Sequence, residues 1–265
     1  MTRVGAFIVV LAVAAALAGP LIVPYDPSAQ QLSLRLQGPS LTHPFGLDEL
    51  GRDVFARIVF GARVSLGVGL VVVSVSSTLG ILLGAMAGYF GGRADDLISR
   101  VMDVLLAFPG ILLAIALVAV LGPSLVNAVL ALCVIGWVGY ARLVRGVTLR
   151  TRELDFVQAA RALGAGSARV LARHVIPTAL PTVAVQATLG MAAAILAEAS
   201  LSFLGLGVQP PTPSWGTMLD AGRSHLFDAP HLTIFPGLSI AALVLGFNFV
   251  GDGLRDRIDP RGGQV

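Results

Sequence analysis

Long apolar runs separated by short polar segments dominate this chain. Uncharged runs cover residues 4–23, 64–92 and 104–141, and two further, mainly apolar runs cover about 178–204 and 232–251. A helix needs roughly 20 apolar residues to cross the hydrocarbon core of a bilayer. Each of these runs therefore predicts at least one transmembrane helix.

The run at 104–141 is too long for one membrane-spanning helix and has the right length for two. Gly122-Pro123-Ser124 lies near its middle, and such a combination of residues is typical of a tight turn. It predicts a hairpin of the third and fourth spans. The whole chain is thus predicted to be an all-α polytopic membrane protein with six transmembrane helices and both termini on the same side.

Arginine indicates the orientation of these spans, because segments rich in Arg and Lys stay on the cytoplasmic side. With the N-terminus inside, the inner segments hold 13 arginines, Arg261 in the tail among them, and the outer segments hold 5. The reversed orientation would invert this ratio. Both termini and the polar loop that follows the fourth span are therefore predicted to be cytoplasmic, in a multi-pass protein of the cell (inner) membrane.

This topology divides the chain into three parts. Residues 1–24 form the first transmembrane helix, 25–65 form an extracytoplasmic segment, and 66–255 form a core of five transmembrane helices. The extracytoplasmic segment is expected to become helical from about Asp48, because apolar side chains at positions 50, 54 and 58 then share one face. We expect an amphipathic helix lying on the membrane surface there.

The first apolar run has a rival interpretation as a cleaved signal peptide. Arg3 gives it a basic start, and Ala16-Leu17-Ala18 is similar to a cleavage site. The apolar core of a signal peptide is usually about 7–15 residues long, whereas this run has 20. The length favours a retained span.

Composition limits the possible functions. Only 12% of the 265 residues are charged, about half of the roughly 25% in a soluble domain. All 18 basic residues are arginines, so the chain lacks the lysine of a nucleotide-binding P-loop and of a Schiff-base enzyme. The histidines, the serines and the single Cys133 form no catalytic or metal-binding spacing. We predict no enzymatic activity, cofactor, metal or nucleic acid on this chain.

The cytoplasmic loop, about 145–177, carries a helical pattern of its own. Phe156, Ala160 and Leu163 recur at the spacing of one helix face. The small side chains of Ala159 and Ala160 would allow another protein to approach that face closely. The alternative is a solvated connecting loop with incidental helicity.

Signals for helix ends follow this first pattern. Gly164 and Gly166 are expected to break the first helix. Ser167 is expected to cap a second short helix, which runs through Arg173 until Pro177 stops it.

The run QAARALGAGSARVLARHVIP, residues 158–177, resembles the cytoplasmic loop of the permeases of ABC importers. That loop reads Glu-Ala-Ala, three residues, Gly, nine residues and Ile-x-Leu-Pro; the positions in register here are Gln158, Ala159, Ala160, Gly164 and Pro177. Gln158 replaces the acid, and His-Val-Ile-Pro replaces the ending. The resemblance implies that this loop, including Phe156, Arg161 and Leu163, is a coupling helix that docks into a groove on an ATPase subunit.

Two more stretches resemble the same family. HPFGLDELGRDVFARIVFGARVSLGVG begins at His43, and EASLSFLGLGVQPPTPSWGTML begins at Glu198. The resemblance runs from about residue 43 to 260 and is to the dipeptide, oligopeptide and nickel permeases, specifically to the shorter, C-type partner of each pair. It implies a type I importer fold, a homologous second permease, two ATPase subunits that bind ATP and Mg²⁺, and an extracytoplasmic substrate-binding protein.

Three polar residues in or near the apolar runs are candidates for the translocation path. Asp103 and Glu198 lie at or near the ends of such runs, and Asn248 lies inside the last one. An ionisable residue within a bilayer usually faces the bundle interior or an aqueous path. For Glu198 the alternative is a buried acid hydrogen-bonded between helices, and Asn248 could equally join two helices.

The resemblance implies peptides as the first choice of substrate, with nickel, metal chelates and glutathione as alternatives within the same class. A different class is a proton-coupled secondary transporter that uses Asp103 or Glu198 as the proton carrier. Six spans without an internal repeat, together with an inner loop of the docking type, argue against that class.

Overall fold

The computed structural model describes residues 1–258, except for the side chain of Pro20. Its regular elements are helical, which confirms the predicted all-α fold. They are α1 (Thr2–Ile22), α2 (Val54–Phe90), α3 (Gly92–Leu106), α4 (Gly110–Leu121), α5 (Leu125–Thr151), α6 (Asp155–Ala162), α7 (Ser167–Val170), α8 (Ile176–Phe203), α9 (Trp215–Gly222) and α10 (His231–Ile258). A π-helical turn, Leu171–Val175, joins α7 to α8. Arg261, which we counted in the inner tail, lies outside the described residues.

Five helical stretches are long and apolar enough to cross a membrane: α1, α2, α5, the continuous stretch Ser167–Phe203, and α10. The remaining span consists of α3 and α4, whose axes differ by 86°. With that pair counted as one span, the six predicted spans are present. The predicted turn before α5 is confirmed as well, because Ser124 Oγ caps α5 by accepting the backbone N–H of Asn127 at 3.1 Å.

The third span is not the single straight helix that the uncharged run predicted. α3 ends at Leu106 and α4 begins only at Gly110. Pro109 lacks a backbone N–H and disfavours helical geometry at Phe108 before it. The 12 residues of α4 cover about 18 Å, little more than half of a bilayer core of about 30 Å. α4 alone is therefore too short for a complete span, and α3 continues from it at an angle of 86°.

The separate surface helix predicted from about Asp48 is wrong. The helix begins at Val54 and continues without interruption to Phe90. Asp48 instead holds a turn, in which its Oδ1 accepts two backbone N–H groups at 2.9 Å each. Asp53 then caps α2. The apolar positions between 54 and 65 thus belong to the end of a membrane-spanning helix.

Small residues bring α2 and α5 into close contact. Gly80, Gly84 and Gly88 recur every four residues and face α5. A Cβ atom at any of them would collide with α5; at Gly88 it would lie 2.7 Å from Cβ of Thr148. These glycines allow the two backbones to approach, as small residues at this spacing do in other membrane helices. α2 and α5 form the most extensive helix pair among the described residues.

The first helix packs as an integral part of the bundle. Ala16 is buried in the largest apolar cluster, which also contains side chains of α2, α8, α9 and α10. The Arg63 side chain of α2 donates to the carbonyl oxygens of Ala16 and Leu17. These contacts join α1 to α2, α8, α9 and α10; retention of this span stays a prediction.

Two segments, 24–53 and 205–230, cover the bundle at the N-terminal end of α2, and we call them the cap. A buried ion cluster holds the first segment: Arg52 Nε lies 2.7 Å and Arg57 Nε 3.6 Å from Asp48 Oδ2, with side-chain exposures of 10% or less. Trp215 in the second segment donates its indole N–H to the carbonyl oxygen of Ile58 at 3.0 Å. Polar contacts therefore fix both cap segments to α2.

Candidate functional site

The α6–α7 loop, residues 152–175, is held against the opposite end of the bundle by three valines. Val157 of α6, Val170 of α7 and Val175 of the π-turn are fully buried and pack together, with Tyr89 at the end of α2 against them. Burying a valine contributes roughly 1.5–3 kcal/mol. An isolated helix as short as α6 is not stable in water, so this apolar contact stabilises it.

Polar contacts complete the attachment of α6. The Arg161 guanidinium lies over the Tyr89 ring, with 4.7 Å between Cζ and the ring centroid. Gln158 Nε2 donates to the carbonyl oxygen of Arg152 at 3.0 Å, and Arg152 Nη1 donates to the carbonyl oxygen of Gly88 at 2.8 Å. The amide at position 158 therefore acts as a donor, a role that a carboxylate in its place could not fill.

The other side of α6 is apolar and exposed. Phe156 is 46% and Leu163 is 89% exposed, and Ala159 between them is exposed as well. Ala160 is only half-buried, because it lies between this face and Val157. Ala159 is thus nearer than Ala160 to the centre of the exposed face. We call this face, Phe156, Ala159, Ala160 and Leu163, the α6 face.

The helix ends within the loop follow the prediction in part. Gly164 ends α6 with a φ of +85°, a conformation that glycine adopts without strain. The second helix begins at Ser167 as expected, but Gly166 occupies the capping position and no side chain caps the helix. The expectation that Pro177 stops this helix is wrong. Pro177 lies in the first turn of α8, where a proline ring fits.

Exposed charged side chains accompany the α6 face in the same loop and next to it. The exposed charged residues of the loop and its approaches are Arg150, Glu153, Asp155, Arg169 and Arg173. An apolar centre with a charged rim is the usual composition of a protein–protein contact.

Within residues 1–258 no group of three or more His, Cys, Asp and Glu side chains is arranged to hold a metal ion.

Asp103 lies on the surface of α3. Its side chain is 67% exposed, and its Oδ1 accepts a hydrogen bond from Arg142 Nη2 of α5 at 2.7 Å. Asp95, near the start of the same helix, pairs with Arg145 of α5, with 2.7 Å between Nη2 and Oδ2. Both ion pairs join α3 to α5. A role of Asp103 in the path stays a prediction.

Glu198 is fully buried in α8. Its Oε1 accepts from Ser202 Oγ at 2.7 Å, and its Oε2 accepts from Ser65 Oγ of α2 at 3.3 Å. Ser202 Oγ in turn accepts the backbone N–H of Val208 in the cap at 3.1 Å. The carboxyl group thus connects α2, α8 and the cap, which is the geometry of the alternative in which Glu198 is an interhelical acid.

The structure also brings together polar residues that the sequence analysis missed. Ser76, Tyr140 and Gln186 line one cavity between α2, α4, α5 and α8. Gln186 is the only side-chain amide in the run 178–204, and that isolation was the available signal. Asn248, which we did single out, is half-buried in α10 and is not part of this cavity.

Comparisons with known proteins agree with this architecture. Residues 80–263 match the family of the binding-protein-dependent transport system inner membrane component, and residues 1–39 match the N-terminal transmembrane domain of oligopeptide transport permease C. The dipeptide transport system permease protein DppC of Alkalihalophilus pseudofirmus is 48% identical over 258 residues, which cover 97% of this chain and 85% of that protein. The glutathione transport system permease protein GsiD of Pectobacterium atrosepticum is 46% identical over 254 residues, 96% of this chain and 84% of that protein.

A solved structure has the same fold. The inward-facing methionine ABC transporter MetNI contains a chain that matches with a TM-score of 0.62 and 19% identity, over 77% of this chain and 98% of that one.

The chain belongs to the family of binding-protein-dependent transport system inner membrane components. Within it, the chain is similar to the C-type permeases of dipeptide and oligopeptide importers. It is a multi-pass inner-membrane permease subunit of an ABC importer and not an enzyme, and its family works with ATPase and binding-protein partners.

Proposed function

We propose that this chain forms half of the translocation path for di- and oligopeptides. A homologous second permease forms the other half, two ATPase subunits bind ATP and Mg²⁺, and an extracytoplasmic binding protein delivers the peptide. The relative named for dipeptide transport, at 48% identity, supports this substrate. Glutathione, itself a modified tripeptide, is the second candidate because of the relative named for it at 46% identity.

The observation that carries the proposal is the exposed α6 face on a firmly attached loop. Its apolar side chains stand at the arginine-rich end of the bundle, where positive-inside topology favours the cytoplasm. An ATPase groove that receives them would bury Phe156 and Leu163 from water. The valine cluster would then transmit movement of the ATPase to α2 and α8, because Tyr89 and Val175 lie at the ends of those helices.

The movement can reach the far side of the membrane through α8. The helical stretch Ser167–Phe203 is continuous from the α6–α7 loop to the cap. The stretch contains the π-helical turn Leu171–Val175 and Pro181, two features at which a helix can bend. We infer that closure of the ATPase dimer on ATP displaces its loop end, and that the cavity between the two permeases opens alternately to each side.

Docking is tested by Ala159→Glu, which adds a charge to the centre of the α6 face. Burying that charge without a partner costs several kcal/mol, so co-purification with the ATPase and peptide uptake should both be lost, while membrane abundance stays normal. Gln158→Glu is the matched control. It adds the same charge to the same helix about 100° around the axis from Ala159, at an exposed position outside the α6 face, and should behave nearly as wild type. Normal ATPase association of Ala159→Glu would refute the docking role.

Orientation is tested separately in a variant that lacks the buried Cys133. Gly166 and Thr212 are both exposed, and a Cβ atom at Gly166 meets no neighbour. In intact cells, a membrane-impermeant thiol reagent should label Thr212→Cys and leave Gly166→Cys unmodified. Labelling of Gly166→Cys from outside would overturn the proposed orientation.

A further inference from the structure

The cavity between α2, α4, α5 and α8 has a volume of about 280 Å³ and lies inside the bundle. Most of its wall consists of aliphatic side chains and glycines. Ser76, Tyr140 and Gln186 supply the polar side chains of the wall, and none of its lining residues is charged. The cavity therefore combines an apolar surface with a few convergent polar groups, which is the usual composition of a small-molecule site.

The polar groups of this wall are poorly satisfied. Ser76 is 1% exposed, and its Oγ has no hydrogen-bond partner among the described residues. The Tyr140 hydroxyl reaches the carbonyl oxygen of Gln186 only at 3.4 Å, beyond the usual 2.5–3.0 Å range. Buried polar groups are normally paired. The Tyr140 hydroxyl and the half-buried Gln186 amide, which makes no side-chain hydrogen bond among the described residues, can therefore bond a polar molecule in the cavity, whereas the Ser76 hydroxyl lies unpaired behind its wall.

The broken third span adjoins the same cavity. Residues 107–109 separate α3 from α4; α3 packs against Trp137 and Val138 before this break, and α4 packs against Ala128 and Ala131 after it. The break therefore lies beside the central turns of α5, deep within the membrane span. Gly110 and Ile111, which follow the break, line the cavity.

This break cannot face lipid at low cost. The last carbonyl groups of α3 and the first N–H groups of α4 have no partners within their own helices. Irregular backbone at membrane depth is tolerated where it is buried in protein or lines a water-filled path. Phe108 at the break is 57% exposed and Leu112 is 58% exposed in this chain. The open side of the break therefore faces either the second permease or an aqueous path.

We propose that this cavity is the part of the translocation path in which this chain contacts the peptide backbone, with Gln186 and Tyr140 as its hydrogen-bonding groups. The proposal rests on the proposed function and assigns the contact to residues other than Asp103, Glu198 and Asn248. A glutamine amide can donate to and accept from a peptide group at once. All peptides share the same backbone groups. An uncharged wall that bonds to those groups can therefore bind many peptides, whatever their side chains.

Accessibility to a charged thiol reagent tests the proposal in the assembled importer without Cys133. During ATP turnover, Gln186→Cys should be labelled, and a saturating dipeptide should slow the labelling clearly, because a peptide bound in the cavity shields the thiol from the reagent. Leu130→Cys is the control, since Leu130 is 51% exposed in an apolar groove on the outside of α5. It should stay unlabelled with or without peptide.

Two results would overturn the proposal. In the first, the reagent labels Gln186→Cys no faster than Leu130→Cys. In the second, it labels Gln186→Cys but the dipeptide does not slow the labelling. Dipeptide uptake and ATPase co-purification of the cysteine-free parent are measured in the same preparations. If the parent imports the dipeptide but Gln186→Cys gives either of these two results, the cavity assignment is wrong and the proposed function stands. If neither this parent nor the importer that retains Cys133 imports the dipeptide, the proposed dipeptide import itself is wrong.

Gln186→Leu gives a second readout that does not depend on labelling. Leucine is similar in size and suits an apolar helix, so folding and ATPase co-purification should be unchanged. The number of peptides imported per ATP hydrolysed should fall about threefold to tenfold. Thr188→Val, on the same helix outside the cavity, should keep the wild-type ratio, and Gln186→Asn should restore part of the loss. A wild-type ratio in Gln186→Leu would contradict the proposal.

Discussion

The cap and the α6–α7 loop close opposite ends of the same bundle, and they are attached in different ways. In the cap, buried ion pairs, an indole hydrogen bond and the Glu198 network join segments that are far apart in sequence. The α6–α7 loop is attached mainly through one cluster of three valines and leaves large apolar side chains exposed. Both ends also expose large apolar side chains, among them Leu41 and Phe227 in the cap, so the difference between the two ends lies in how each is attached to the bundle.

This difference indicates how a permease can be rigid and still respond to another subunit. Buried charges that are paired within the cap allow little rearrangement, because separating them leaves an unpaired charge. Apolar contacts are less directional, so a loop held by valines and by a few partly exposed polar contacts can tilt with a partner at lower cost than the cap can. We therefore expect substitutions in the cap to reduce folding, and substitutions in the loop to reduce coupling.

The largest effect is expected from Asp48→Ala in the cap. It removes the carboxylate between Arg52 and Arg57 and leaves two buried arginines without their partner. Breaking a buried ion pair from one side costs about 3–5 kcal/mol, so thermal unfolding of the purified importer should begin at a clearly lower temperature. Asp26→Ala, an exposed acid in the same segment with only a local contact, is the control. If Asp48→Ala unfolds at the wild-type temperature, the ion cluster does not stabilise the cap.

The next effect concerns Glu198, which belongs to the cap network by its contacts. Glu198→Ala leaves the hydroxyls of Ser65 and Ser202 without their acceptor, at a cost of about 1–3 kcal/mol. The yield of assembled importer should fall, whereas uptake per assembled importer should stay near wild type. Normal yield combined with lost uptake would assign Glu198 to the translocation path instead.

A smaller and more local effect is expected from Val157→Ala. The loss of two buried methyl groups costs about 1.5 kcal/mol, and Val157 contacts only the α6–α7 loop and the end of α2. Proteolysis within residues 152–175 should become faster, while the unfolding temperature of the whole importer changes little. Equal loss of stability throughout the bundle would show that the loop is not a separate unit.

Gln158→Glu should have the smallest effect. A carboxylate cannot donate to the carbonyl oxygen of Arg152, so one exposed hydrogen bond is lost, at about 0.5–1.5 kcal/mol. Glutamate is the residue that the similar loop of ABC-importer permeases has at this position. Peptide uptake should remain near wild type; a loss as large as that of Ala159→Glu would mean that the amide itself takes part in coupling.

The sequence was informative where a physical requirement is local. Uncharged runs predicted the spans, Gly122-Pro123-Ser124 predicted the turn before α5, and the apolar spacing around Phe156 predicted α6. Each of these signals acts within a few turns of helix. The small-residue repeat at Gly80, Gly84 and Gly88 was equally visible, but its partner helix was not.

Other features depend on contacts that hydropathy does not encode. The break at Pro109 was hidden inside an uncharged run, because hydropathy does not register a missing N–H. The start of α2 depends on a cap by Asp53 and on a turn held by Asp48. The importance of Val157 depends on Val170, Val175 and Tyr89, which only the tertiary fold brings to it.

Hydrogen–deuterium exchange of the purified permease pair, with and without its ATPase subunits, tests the contrast between the two ends most directly. If the α6 face is the docking surface, the backbone amides of α6 should exchange markedly more slowly when the ATPase is bound. The cap, which lies at the opposite end of the bundle, should exchange at the same rate in both samples. Unchanged exchange in α6, or protection that appears in the cap instead, would contradict the account.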